Sequence, residues 1–199
     1  MSIGSHRPQG PFPPMKLLKL AAILTLPLLG ACSDYHYKNY QGDWAPEKLH
    51  PVDLSNNAPD AVLVYFDTWR ERELGVPFHR LALAVEVDGV TLPGAGRQSI
   101  LNVSGEQALK LSPGKHSLRW CNVSMNALGT GGAFCNEGAD DVEFKAGRRY
   151  LVSYRLTAST RGVGPNYSTQ YRTYSSIKDL DSQEIIYPSA GTGTLISND

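Results

Sequence analysis

The sequence predicts an all-β fold, an antiparallel β-sandwich of about seven strands, on three observations. Segments rich in Val, Leu, Ile, Tyr and Phe recur at short intervals, each bounded by Gly, Pro, Asn or Ser. Turn signals fall about every eight to twelve residues, the spacing of a sandwich. No stretch holds an amphipathic 3.6-residue period for more than about two helical turns. Composition agrees, because 41% hydrophobic and 19% charged residues describe a globular chain rather than a disordered one. A length of 199 residues suits one domain.

The elements follow in order. Ala61 to Asp67 (AVLVYFD) is a continuous apolar run suited to a buried strand. From His79 to Asp88, Leu81, Leu83, Val85 and Val87 alternate with Ala82, Ala84, Glu86 and Asp88, the period of two that a half-buried strand requires. Asp88-Gly89 then closes a turn. Further strands are expected at Ser99–Val103, Gln107–Leu111, His116–Val123, Asp141–Lys145 and Tyr150–Ala158, with an edge strand at Ile185–Tyr187. Tyr150, Val152, Tyr154 and Leu156 share one face and supply core. Trp69–Leu74 and Ser176–Asp181 suit at most a turn of helix. The sandwich domain is thus assigned to 61–187, and 188–199, rich in Gly, Ser and Thr, to a flexible tail.

The N-terminus carries an address. Residues 1–14, with Pro8, Pro11, Pro13 and Pro14, add nothing to export and read as a leader from a start set too far upstream. From Met15, Lys16 and Lys19 precede the apolar run Leu20–Leu29 and the small residues Gly30 and Ala31, the layout of a signal peptide over 15–31. The run is shorter than the roughly 20 residues that span a bilayer, and Pro27 interrupts it. Leu29-Gly30-Ala31-Cys32 resembles the bacterial lipobox, which implies cleavage between Ala31 and Cys32 and acyl chains, palmitate among them, on Cys32. An ordinary signal peptide cut elsewhere, or a buried helix, leaves Cys32 without a role.

Cleavage there removes Arg7, Lys16 and Lys19 and no acid, so the 19 basic residues become 16 against 19 acids, a net charge of −3 over 168 residues. Two or more acyl chains anchor stably where one does not. Ser33, rather than Asp, stands at the second mature position, and the resemblance to sorted lipoproteins of didermic bacteria then implies transfer to the outer membrane, with the domain in the periplasm. Residues 32–60, with Tyr35, Tyr37, Tyr40, Trp44, Pro46, Pro51 and Pro59, read as an extended tether. Its tyrosines sit either at lipid headgroups or strapped onto the domain.

In an oxidising compartment the two remaining cysteines, Cys121 and Cys135, are expected to pair. A bridge closing about 15 residues is worth about 3 kcal/mol in the chain-entropy account. It ties the loop Asn122–Phe134, which contains Gly129, Thr130, Gly131 and Gly132. His116 lacks the paired Cys or His spacing of a zinc site, so no metal is expected.

Three turn motifs then line up: Val87-Asp88-Gly89, Ser112-Pro113-Gly114-Lys115-His116 and Ala146-Gly147-Arg148-Arg149-Tyr150. Over about Ala61–Leu156 the chain resembles small bacterial lipoproteins with PEGA-like β-sandwich domains, in which such turns recur in that order. The resemblance implies a sandwich of the PEGA, immunoglobulin or transthyretin kind. It carries no catalytic residues. His116 is either a base or a strand-start residue hydrogen-bonded to backbone.

Chemical motifs are otherwise lacking. The chain has no Gly-x-Ser-x-Gly elbow, P-loop or dinucleotide-binding turn. Asp140, Asp141 and Glu143 lack the ligand alternation of a calcium loop and read as a solvated face. A formal net charge of +0 gives no field for nucleic acid. For binding, Asn122, Asn126 and Phe134 on the stapled loop, with Tyr167 and Tyr171 on a polar aromatic stretch, are residue types that recognise glycans or proteins. A solvated hairpin explains them equally well. Arg148, Arg149 and Arg155 are candidates to meet peptidoglycan carboxylates, but alternation puts Arg149 and Arg155 on the face opposite Tyr150, the ordinary solvent side of a strand. The expectation is a non-enzymatic outer-membrane lipoprotein, free of cofactors apart from its covalent lipid, acting as an accessory or adaptor module with an envelope protein or peptidoglycan. A glycan or small-ligand binder is the alternative, and a cell-wall hydrolase stands behind both.

Overall fold

The computed structural model describes residues 37–38, 44–73, 75–99, 102–126, 131–161, 168–188 and 192–197. The leader, the signal peptide, Ala31 and Cys32 lie outside the described residues, as does Tyr167. In chain order the strands are β1 (Tyr37–Lys38), β2 (Val52–Leu54), β3 (Val62–Phe66), β4 (Thr68–Glu73) and β5 (Val76–Val87). They continue as β6 (Val90–Thr91), β7 (Gly96–Ser99), β8 (Asn102–Ser104), β9 (Ala108–Leu111) and β10 (Gly114–Asn126). The last are β11 (Gly131–Phe144), β12 (Arg149–Arg161), β13 (Ser168–Asp179), β14 (Ile185–Pro188) and β15 (Thr192–Ser197). The described residues therefore build an all-β architecture, with more strands than the seven expected, five of them 12 to 14 residues long. Their one helical element is a 3-10 turn at Pro46–Lys48.

Two large sheets and a small one result. A seven-stranded sheet runs β14-β13-β12-β3-β9-β2, with β15 also on β13. A five-stranded sheet runs β11-β10-β5-β4, with β6 on β5, and a three-stranded sheet runs β1-β8-β7. Pairing is antiparallel except between β12 and β3, β2 and β9, and β1 and β8.

The two large sheets share one core. Val62, Val64 and Phe66 of β3, Leu109 and Leu111 of β9, and Tyr150, Val152 and Tyr154 of β12 meet Ala82 and Ala84 of β5, Leu118 and Trp120 of β10, and Phe144 of β11. The expected face of β12 is the buried one. Phe144 and Tyr150 pack edge to face at 4.9 Å, a favoured aromatic geometry. The Tyr154 hydroxyl donates to the Val123 carbonyl at 2.5 Å, linking the sheets through a polar tip.

One residue joins the two sheets through its backbone. Asp67, between β3 and β4, donates its N–H to Val152 of the seven-stranded sheet at 2.9 Å and accepts from the Ala82 N–H of the five-stranded sheet at 2.8 Å. A corner where the chain changes sheets leaves backbone groups that each sheet must satisfy, and Asp67 spends one on each.

Strand β5 alternates as expected but is buried on both faces. Ala82 and Ala84 face the shared core, while Leu81 and Leu83 enter a second cluster with Val103, Cys121, Val123 and Met125. A register shift opposite Arg119 and Trp120 leaves Val85 without a partner on β10, so Val87 rejoins the Ala84 face rather than following Val85. Covering the leucine face requires a close neighbour. Gly105, just after β8, lies so near that a Cβ there would stand 2.5 Å from the Ala84 carbonyl oxygen and 2.8 Å from Leu83 Cβ. At the far end of β5, Asp88 and Gly89 have φ of 51° and 78°, the left-handed pair of a two-residue hairpin.

Several sequence expectations need correction. The tether assigned to 32–60 belongs in part to the domain: Tyr37–Lys38 pairs with Val103–Ser104, Leu49 is buried beside Tyr65 and Ala108, and Val52–Leu54 pairs with β9. Parallel pairing satisfies backbone that proline and polar composition led us to read as solvated. The tail assigned to 188–199 contains β15, paired with β13. Trp69–Leu74 is mostly strand, because Trp69 lies opposite Arg80 and packs on the shared core. Ser176–Asp181 is the end of β13 and the turn after it, and Ser99–Val103 falls across the hairpin of β7 and β8.

The seam residue carries a pH signature. Burial pushes the Asp67 carboxyl up from 3.8 to about 6, against a hydrogen bond from the Thr68 N–H. Between those values the native state holds a proton that the unfolded chain has lost, so this group's contribution to stability falls as pH rises through the window. Asp67→Asn should leave stability unchanged near pH 3.5 and raise it by about 2 kcal/mol above pH 6.5, read as the variant-minus-parent difference in urea unfolding.

Candidate functional site

Cys121 and Cys135 are bonded, with Cα atoms 3.9 Å apart. In its described part, 122–126 and 131–134, the segment between them is paired strand rather than a tied loop. Strands β10 and β11 continue as a hairpin arm, pairing Asn122 with Phe134, Val123 with Ala133, Ser124 with Gly132 and Met125 with Gly131. Of the glycines that suggested a loose loop, Gly131 serves close approach instead, since a side chain there would collide with the Ser124 carbonyl, whereas one at Gly132 would meet nothing within 4 Å; Gly129 lies outside the described residues. The bridge faces the second apolar cluster, where Cys121 is buried against Leu81, Leu83 and Val123.

The proposed binding residues separate accordingly. Asn122 is fully buried and points with Trp120 and Ser124 toward the space between the large sheets. Asn126 ends β10, half-buried, and Phe134 is half-buried on β11. Tyr171 is half-buried on β13, on the same face as Thr173 and Ser175. They do not form one exposed surface.

What gathers at that end of the inter-sheet layer is a buried polar network. The Glu137 carboxylate accepts from the Thr173 hydroxyl and, at 3.2 Å, from the Ser175 hydroxyl. Ser175 Oγ in turn accepts from Asn122 Nδ2 at 2.9 Å and Trp120 Nε1 at 3.4 Å. Burial pushes the Glu137 carboxyl up, and the two hydroxyls only partly offset this. Asn122 Oδ1 has no hydrogen-bond partner among the described residues. One further step along the layer, the buried Arg80 guanidinium bonds Glu71 at 2.5 Å, donates to the Ser124 hydroxyl and lies 4.8 Å over the Phe78 ring. Trp69 donates to Glu71 at 3.3 Å and stacks obliquely on Tyr154 at 5.0 Å.

Neither Glu137, Thr173, Ser175 nor Arg80 was singled out from sequence. The available signal was alternation: Trp120, Asn122 and Ser124 share a face with one another, as do Thr173 and Ser175. These groups bond one another across β10, β11 and β13 and are shielded from solvent. Such an arrangement fixes register between sheets, since any slip would strand a buried carboxyl or guanidinium.

The turn motifs converge on a second cluster. His116 Nδ1 faces the Asp88 carboxylate at 2.7 Å, and Nε2 faces the Ser112 carbonyl at 2.9 Å with the Ser112 hydroxyl at 3.3 Å. The composition is that of a Ser-His-Asp triad, but the carbonyl decides the chemistry. A carbonyl oxygen only accepts, so Nε2 donates to it and keeps no lone pair for a serine proton. Burial raises the Asp88 carboxyl, but hydrogen bonds from His116 and the Ser117 N–H outweigh it and hold the group below its usual range. The cluster ties the β5–β6 turn to the β9–β10 turn, and His116 is thereby the backbone-bonded strand-start residue.

The acidic cluster and the edges of the five-stranded sheet are accounted for locally. Asp140, Asp141 and Glu143 are exposed on β11, and Asp140 pairs with Arg119 at 2.7 Å. Edge strand β11 carries these acids and two register shifts, while edge strand β4 carries Arg70, Glu71, Arg72 and Glu73. Charge and bulges of this kind oppose strand addition. Compared with known proteins, the chain matches no family model, and no curated protein or solved structure matches it significantly.

Because the bridge joins neighbouring strands already held by backbone pairing, its removal should loosen the arm without abolishing the fold. Replacing both cysteines with alanine should lower unfolding free energy by about 2–3 kcal/mol. Denaturant unfolding checks the magnitude, and a loss below about 0.5 kcal/mol would assign the bridge no stabilising role.

Proposed function

We propose that this chain is an exported lipoprotein anchored through Cys32, with a PEGA-like β-sandwich serving as a non-enzymatic accessory or adaptor module in a cell envelope. The observation that carries the reading is the Cys121–Cys135 bridge, because such bonds persist in oxidising compartments and the lipobox supplies the route there. Ser33 favours the outer membrane, with the domain in the periplasm. Covalent lipid on Cys32 is the only added group the reading requires. The locked Ser112, His116 and Asp88 cluster favours a binding role over hydrolysis. A partner pairing with an exposed edge strand is the expected mode of contact, and charge and bulges on the edges of the five-stranded sheet disfavour it there.

The test is metabolic labelling with radioactive palmitate in a bacterial host, with membrane fractionation and in-cell crosslinking run on the same cells. The parent chain should take up label, fractionate with outer membranes and crosslink to a defined envelope component. Cys32→Ser should lose label and anchoring together. Equal anchoring of Cys32→Ser would overturn the lipoprotein reading, and an anchored chain that crosslinks to nothing would overturn the adaptor reading.

A further inference from the structure

The outer face of the β12–β13 ladder carries two exposed arginines close together. Four arginines have carboxylate partners: Arg80 with Glu71, Arg119 with Asp140, Arg148 with Asp179 and, at the start of β12 on this same face, Arg149 with Asp181. Arg155 and Arg172 are both exposed, and among the described residues neither has an ion-pair partner. They are diagonal neighbours, since Arg155 stands opposite Tyr174 and Arg172 opposite Thr157. The Arg155 guanidinium lies 5.5 Å over the Tyr174 ring, which holds its planar fork at the surface.

Strand alternation places Ser153, Thr157 and Ser176 on this same face, and Ser153 and Ser176 face each other with hydroxyls 3.4 Å apart. Lys178 extends the cationic row. The one acid within β12 and β13, Asp179, is buried and lies opposite Tyr150 on the other face. At one end of this face Arg149 is neutralised by Asp181 and Leu151 packs against the Leu49 cluster; beyond them, a chain with as many acids as bases keeps a patch that is cationic, hydroxyl-rich and aromatic.

We propose that this face, built on Arg155, Tyr174 and Arg172, binds an anionic polysaccharide strand. Guanidinium forks match carboxylate or phosphate groups in geometry and charge, the tyrosine ring offers a rigid contact surface, and the hydroxyl row supplies hydrogen bonds to sugar. A lipid surface fits less well. Among the described residues the exposed large apolar ones are Trp44, Val76, Val90 and Ile185, and of these only Ile185 pairs into this ladder, beside Lys178 and away from Arg155. Nucleic acid would demand a broader positive field than three cations on a chain of balanced charge provide. The site does not depend on Cys32, so failure of the lipoprotein reading leaves it standing.

Affinity electrophoresis of the full-length protein in neutral detergent tests the proposal, with polygalacturonate in the gel, dextran as the uncharged control, and phosphatidylglycerol vesicles in a parallel flotation assay. The parent should be retarded by polygalacturonate and not by dextran, and should not float with vesicles. Arg155→Gln with Arg172→Gln should weaken retardation by at least about tenfold, Tyr174→Ala by about threefold, and Tyr174→Phe should restore it. Lys115→Gln with Lys145→Gln, which removes the same charge from exposed positions elsewhere, should bind within about twofold of the parent. Both arginines are exposed, and an unchanged unfolding midpoint verifies that their replacement leaves the fold intact. Absent retardation of the parent, equal weakening by the lysine pair, undiminished binding by the arginine pair, or flotation with vesicles would each overturn it.

Discussion

Ala82 and Ala84 leave room on one side of β5 for Trp120 and Phe66, while Leu81 and Leu83 fill the other side against Val103 and Cys121. Burial of the β5–β10 pair on both faces is the constraint that the remaining architecture serves. Each fully buried leucine is worth about 1.5–3 kcal/mol only if water is excluded from it, so each face needs its own cover. The seven-stranded sheet covers one, reached through the Asp67 corner. The small sheet covers the other, and the absent side chain of Gly105 allows it to approach.

Polar chemistry inside the shared layer follows from the same geometry. Where apolar side chains run out toward the hairpin arm, Glu137, Asn122, Ser175 and Thr173 complete the interior by bonding one another. A greasy core can tolerate a shifted register, whereas this network has one arrangement in which its groups are bonded. The arm is held twice on its outer side as well, by backbone pairing and by the disulfide.

Legibility from sequence tracked how apolar each strand is. Strands β3, β5 and β12 were readable because long runs of Val, Leu and Tyr leave few alternatives, and the Asp88-Gly89 turn was readable from its demand for left-handed backbone. Strand β13 was missed because its inner face uses Ser175 and Thr173 where a leucine would have signalled burial. Strand β4 was missed because TWRERE looks solvated until Arg80 and Tyr154 are beside it. The cysteine pair was legible, but the glycines between its members suggested a loop and hid Asn122 as an interior residue. His116 and Asp88 were recognised only as parts of separate turns, since sequence does not reveal that two turns 28 residues apart hydrogen-bond each other.

Hydrogen–deuterium exchange of the intact, oxidised protein tests the doubly buried strand pair most directly. Amides of Leu81–Ala84 and Trp120–Ser124 should be the slowest to exchange, opening only with global unfolding, while those of β2 and β14 at the sheet margins should exchange faster by at least about tenfold. Exchange of the β5 and β10 amides at the rate of these marginal strands would contradict the account, because a strand covered on both faces cannot open locally without uncovering both cores.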